Sequence, residues 1–182
     1  MNEVRAISDK DKLSEMLIYL KFNNKRNYIL FLLGLHTGLR IGDILKLKVK
    51  DVYKKKEISI REEKTNKKRE IAIGKKLSRE INSYCNGRDP DEFLIKSKRG
   101  NEPIGRCQAY KIINNLAKEY GLTGVGCHSL RKTFGKRHYE KYGNLEELRL
   151  IFNHSNADVT RRYIGVEQEL SLIHISEPTR PY

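Results

Sequence analysis

Four short stretches of this sequence hold the side chains best suited to gripping and attacking an anionic group. They are Thr37-Gly38-Leu39-Arg40, Glu63-Lys64-Thr65, His128-Ser129-Leu130-Arg131, and His154 followed nine positions later by Tyr163. A guanidinium presents a fork of donors that matches phosphate oxygens two at a time. A phenol is a poor nucleophile near neutral pH, and becomes a useful one only where cations and a base lower the cost of ionising it. His128 and Arg131 stand three apart, so on a helix they share a face and can converge on one group. Each stretch alone says little: Tyr163 is one of ten tyrosines, and most of those must be packing residues.

The composition names the kind of anion. Of 182 residues, 37 are Lys or Arg against 23 Asp or Glu, a formal net charge of +14. Such a chain attracts any polyanion before specific contacts form, which makes nucleic acid the leading partner. The basic residues are not confined to a tail but recur at Lys46, Lys48, Lys50, Lys54 to Lys56, Lys64 to Arg69, Lys96 to Arg99, and Arg161 with Arg162. Cys85, Cys107 and Cys127 form no CxxC pair and have no histidine cluster at ligand spacing, so neither a zinc site nor a disulfide framework is expected. No apolar signal segment opens the chain, and the longest apolar run, Tyr28 to Leu33, is far short of a bilayer span. The expectation is a cytoplasmic protein with one domain and one sizeable core.

The elements that must position these residues are legible as periodicity. Ser8 is expected to cap a helix over Asp9 to Phe22, with Leu13, Leu17 and Leu20 on one face. A second helix begins near Lys25 and ends at Gly38, which leaves Arg40 just past its terminus. Ile41 to Leu47 reads as a short helix. Ile58 and Ile60, then Ile71 and Ile73, alternate on either side of a polar stretch and predict a β-hairpin with Lys64 near its tip. Further helices follow over Lys75–Tyr84, Ile104–Tyr120, Ser129–Tyr142 and Leu145–Phe152. Phe93 to Ile95 is expected to be a short strand, and Ser155 to cap a last helix carrying Val159 and Tyr163. Leu170 to Tyr182 has two prolines and no period, and its string is similar to the translation of a sequencing adapter. Residues 170–182 are therefore read as a non-native tail, with the native sequence beyond Glu169 expected to be absent.

Taken together, the four stretches resemble the tyrosine recombinase, or phage integrase, family. There a Thr-Gly-Leu-Arg turn, a hairpin lysine, a His-x-x-Arg helix, a Gly-His-Ser-like turn and a tyrosine nine residues on occur in this order. The resemblance covers about Glu3 to Glu169, so residues 1–169 are expected to form the catalytic domain. It implies that Arg40 and Arg131 clamp a scissile phosphodiester and that His154 donates to a non-bridging oxygen. His128 takes and returns the tyrosine proton, Lys64 protonates the departing 5′ oxygen, and Tyr163 is the nucleophile. Lys67 and Lys68, on the same hairpin, are the alternatives to Lys64. Asp43 matches a carboxylate that orients the pocket. Asn153 stands where the family usually has glycine, a position asparagine tolerates because its backbone accepts left-handed angles.

The resemblance further implies a 3′-phosphotyrosine intermediate, double-stranded DNA as partner, a homo-oligomer on DNA that is a tetrameric synapse in the family, and no cofactor or metal. The N-terminal core-binding domain that many relatives carry is not expected in this chain. The fold expected is α+β, mostly α-helical, with a small antiparallel β-sheet. Two other functions share these features: a catalytically silent DNA-binding module, and a type IB topoisomerase-like nicking and closing enzyme.

Overall fold

A computed structural model of the chain describes residues 4–61, 66 and 68–166. Lys64, Lys67 and the 170–182 stretch lie outside these. The elements run α1 (Lys10–Asn23), α2 (Lys25–Thr37), α3 (Ile41–Leu45), α4 (Val49–Val52), β1 (Glu57–Arg61), β2 (Lys68–Ala72), α5 (Lys75–Cys85), α6 (Arg106–Glu119), α7 (Cys127–Tyr142), α8 (Leu145–Phe152) and α9 (Ala157–Ile164). The chain divides into two compact units, residues 1–134 and 135–182, with the division inside α7. Among the described residues no helix is long and apolar enough to cross a membrane.

In the first unit α2 is the central element. Ile29 to Leu33 are all buried, together with Leu35, and a helix apolar on every side must be surrounded. α1 covers it with Leu13, Met16 and Leu20, and α5 with Leu77, Ile81 and Cys85. The hairpin is antiparallel, with Ile58 opposite Ile71 and Arg61 opposite Lys68. Only Ile58 is fully buried, so β1 lays one face on the core and turns the other to water.

Three local expectations are corrected. Asp9, not Ser8, caps α1: its carboxylate accepts from Lys12 N at 2.9 Å, and a charged cap gains from the positive end of the helix. Asn156, not Ser155, caps α9, with Oδ1 accepting from Val159 N at 2.9 Å. Phe93 to Ile95 is not a strand, since within it only Phe93 forms a bridge, an isolated one to Lys48, and the next bridge, Lys96 to Pro103, lies beyond it. Arg88 explains this in part: its guanidinium takes the Phe93 carbonyl at 2.8 Å and the Leu94 carbonyl at 3.2 Å, and a carbonyl held by a side chain is drawn away from a ladder.

Candidate active site

The residues singled out by sequence fall into two groups, one in each unit. In the first unit the group is built on the end of α2. Thr37 Oγ1 donates to the Leu33 carbonyl at 2.6 Å and accepts from Leu39 N at 3.2 Å, which closes the turn. Gly38 ends the helix at φ 62° and ψ 18°, a left-handed position where a side chain is costly. It is also a tight one, since a Cβ on Gly38 would lie 2.5 Å from Cδ1 of Phe134. Leu39 is buried, and Arg40 then takes extended angles as the residue that starts α3. The Arg40 carbonyl accepts from Asp43 N at 3.0 Å and Ile44 N at 3.1 Å, so its backbone is held while its side chain stays half-exposed. Asp43 is buried one turn on.

α7 brings the second motif to this turn. Ser129 locks the start of the helix: its Oγ accepts from Gly126 N at 3.0 Å, and its own N–H donates to the Gly126 carbonyl at 2.9 Å. Leu130 packs on Gly34 of α2, where a Cβ would come within 2.8 Å of it, so the two helices are in close approach. Arg131 is 3% exposed, and its Nη1 donates to the Gly38 carbonyl. A buried guanidinium must be hydrogen-bonded to be tolerated, and a helix-terminal carbonyl suits it because it carries the negative end of the helix dipole. This bond ties residues 93 positions apart and sets the Arg131 motif directly on the turn that presents Arg40. His128 sits exposed in the first turn of α7, one turn before Arg131. Lys64 lies outside the described residues; in sequence it falls between Arg61 and Lys68, a paired couple of β1 and β2.

In the second unit α8 ends at Asn153, left-handed at φ 53° and ψ 47°, as expected for a residue standing in for glycine. The chain then turns through His154, whose N–H donates to the Arg149 carbonyl at 3.0 Å. Arg149, paired with Glu146, returns a bond from Nη1 to the His154 carbonyl at 3.1 Å. The His154 Nδ1 lies 3.0 Å from Thr160 Oγ1. Tyr163 lies on α9, within the helix, and its ring meets His154 edge-on at 5.1 Å between centroids. Phe152 completes an aromatic triangle, 5.3 Å from each of the other two rings. Gly135 makes room for it, since a Cβ there would lie 2.7 Å from Phe152 and 2.8 Å from Ile164.

The structure therefore brings together Arg131 with the Arg40 turn, and His154 with Tyr163. Sequence reasoning missed Phe152, Thr160, Gly34 and Gly135. Only Thr160 had a possible signal, its position three before Tyr163 on one helical face. No group of three or more His, Cys, Asp or Glu side chains is placed to hold a metal among the described residues.

A model of the phage integrase family matches residues 7–169. The chain is 43% identical over 169 residues to a probable integrase/recombinase, YoeC, of Bacillus subtilis (strain 168), a match covering 93% of each. It is 29% identical to a tyrosine recombinase, XerA, of Pyrococcus horikoshii, over 79% of this chain and 52% of that protein. The chain thus spans about half the length of this and several other relatives it matches. Among solved structures, a crystal structure of XerA recombinase superposes with a TM-score of 0.74 at 23% identity, over 99% of this chain and 66% of that one. XerH site-specific recombinase bound to its difH substrate superposes at 0.71 and 20% identity, over 88% of this chain and 51% of that one.

Proposed function

The chain belongs to the phage integrase family, whose tyrosine recombinases cleave and rejoin DNA, and on that premise we propose site-specific recombination of duplex DNA through a phosphotyrosine at Tyr163. The phenol oxygen attacks a backbone phosphorus while His128 takes its proton. The bond to the 5′ oxygen breaks, and Lys64 supplies the proton that makes the departing group a 5′ hydroxyl. The product is a 3′-phosphotyrosine, which keeps the energy of the broken ester. A 5′ hydroxyl from a partner strand then attacks it, releases Tyr163, and completes the exchange.

In this reading Arg40 and Arg131 hold the non-bridging oxygens, whose charge grows as the phosphorus becomes pentacoordinate, and His154 donates a further bond. Asp43 keeps the Arg40 turn in place. The observation that carries the reading is the bond from Arg131 to the Gly38 carbonyl, which seats the two arginine motifs on one turn. The basic surface, with Lys46, Lys50 and Lys54 to Lys56 all exposed, supports duplex DNA as the partner. Recombination further requires copies of the chain to assemble on that DNA, with residues 1–169 as the acting domain and 170–182 dispensable for cleavage.

The test is a nicked duplex carrying candidate sites, incubated with the protein and run under denaturing conditions. A covalent protein–DNA adduct is expected, and its loss in Tyr163→Phe. An adduct that persists in Tyr163→Phe refutes the nucleophile, and no adduct on any DNA leaves only a binding module. Relaxed plasmid without recombinants would identify a nicking and closing enzyme instead.

A further inference from the structure

Thr160 lies on α9, between its Asn156 cap and Tyr163, and is wholly buried. Its hydroxyl has a single proton and two neighbours within reach: His154 Nδ1 at 3.0 Å, which accepts or donates according to the ring's tautomer, and the Asn156 carbonyl at 3.4 Å, which only accepts. The first distance is within the ordinary hydrogen-bond range, and the second is at its far edge. A hydroxyl that donates to Nδ1 keeps that nitrogen unprotonated, so the proton of a neutral imidazole must sit on Nε2. Arg149 holds the His154 backbone carbonyl, and the Phe152 and Tyr163 rings flank the imidazole.

We infer that Thr160 is a positioning residue for His154: its buried hydroxyl bonds Nδ1 and keeps the donor proton on Nε2, the nitrogen that addresses the scissile phosphate. This rests on the reading of His154 as a phosphate donor. The hydroxyl also serves the charged ring. When Nδ1 gains a proton, Thr160 turns its own proton to the Asn156 carbonyl and accepts from Nδ1. His154 thus donates from Nε2 in both charge states, and phosphate contact survives the titration of the ring. The charged and titratable groups in contact with His154 include Tyr163 from α9, against its ring, and Arg149 from α8, paired with Glu146 and bonded to its carbonyl.

The experiment measures covalent adduct formation on nicked duplex by the full chain and by Thr160→Val, Thr160→Ser and His154→Ala, well above and well below the ordinary histidine value of ~6.5. Thr160→Val is expected to cleave slower than the unmodified chain by roughly threefold to tenfold on the alkaline side, where a neutral ring depends on the lost bond. That gap closes on the acid side, where both ring nitrogens carry protons. Thr160→Ser, which keeps the hydroxyl, is expected to follow the unmodified chain. In the unmodified chain above that value, the 15N resonances of His154 are expected to show Nε2 protonated and Nδ1 bare, a readout that needs no variant to fold. A rate gap constant across pH, or a protonated Nδ1 in the neutral ring, overturns the inference while the role of His154 stands. Undiminished cleavage by His154→Ala removes that role, and the inference with it.

Discussion

Gly38 is where backbone strain and packing both bear on the candidate site, and Gly38→Ala separates them. At φ 62° an L-residue meets its own carbonyl, a cost of about 1–2 kcal/mol. The added methyl would also lie 2.5 Å and 2.8 Å from two ring carbons of Phe134, far inside contact distance, and overpacking of this kind costs about 1–3 kcal/mol. The expected destabilisation is therefore about 2–5 kcal/mol, or a fall in Tm of order 10 °C for a chain of this size. Gly87→Ala is the control. It has the same left-handed sense, φ 76°, but nothing within 4 Å of the new Cβ, so only the backbone cost applies. Urea denaturation of both variants reads the difference, and Phe134→Leu in the Gly38→Ala background is expected to recover part of it. Cleavage should fall further than stability does, because Arg40 leaves the turn two residues later. Equal losses in Gly38→Ala and Gly87→Ala, or no recovery on trimming Phe134, would refute the close approach of α7 to the turn.

Asn153→Gly should match or slightly exceed the unmodified chain in stability, and Asn153→Ala should lose about 1 kcal/mol in thermal or urea unfolding, because φ 53° is strained for alanine. Cys107, exposed at the start of α6, should react first with a thiol reagent in the native protein. Cys85, buried and with its thiol pushed up to about 11 by burial, should react only on unfolding, as a thiol count by mass would show. The Glu92 carboxyl is held below the usual carboxylate range by hydrogen bonds from Lys96 and then Arg88. A depressed carboxylate stabilises the folded chain above its unfolded value of ~4.5 and stops doing so as pH falls through the lowered native value. Glu92→Gln should therefore lower Tm near neutral pH, and the difference should vanish in acid.

What could be read in the sequence is what short-range physics controls. The helices follow from apolar spacing and from caps within a few residues, which is why the sequence puts α2 between Lys25 and Gly38 and α8 over Leu145–Phe152, where both are observed. The two caps misplaced by one residue, Ser8 for Asp9 and Ser155 for Asn156, show the limit: adjacent polar side chains compete for the same N–H, and the winner depends on how the preceding backbone is held. The expected strand at Phe93 failed for a related reason, since Arg88 is drawn to its carbonyls only in the folded chain. The candidate residues themselves were identified by type, order and spacing. Among ten tyrosines, Tyr163 stands out by its distance from His154 alone.

Tertiary structure decided which groups meet. No periodicity joins Arg131 to a carbonyl 93 positions earlier; that bond exists because Gly34 lets Leu130, and with it α7, come close to α2. Nor does helical spacing by itself set Phe152 and Thr160 against the His154 ring, since a left-handed turn at Asn153 must first fold α9 back toward the end of α8. Chain-local forces act over a helical turn or two and are written in the residues that feel them. Contacts between distant segments depend on the shapes of whole packed surfaces, and no single stretch of sequence contains those.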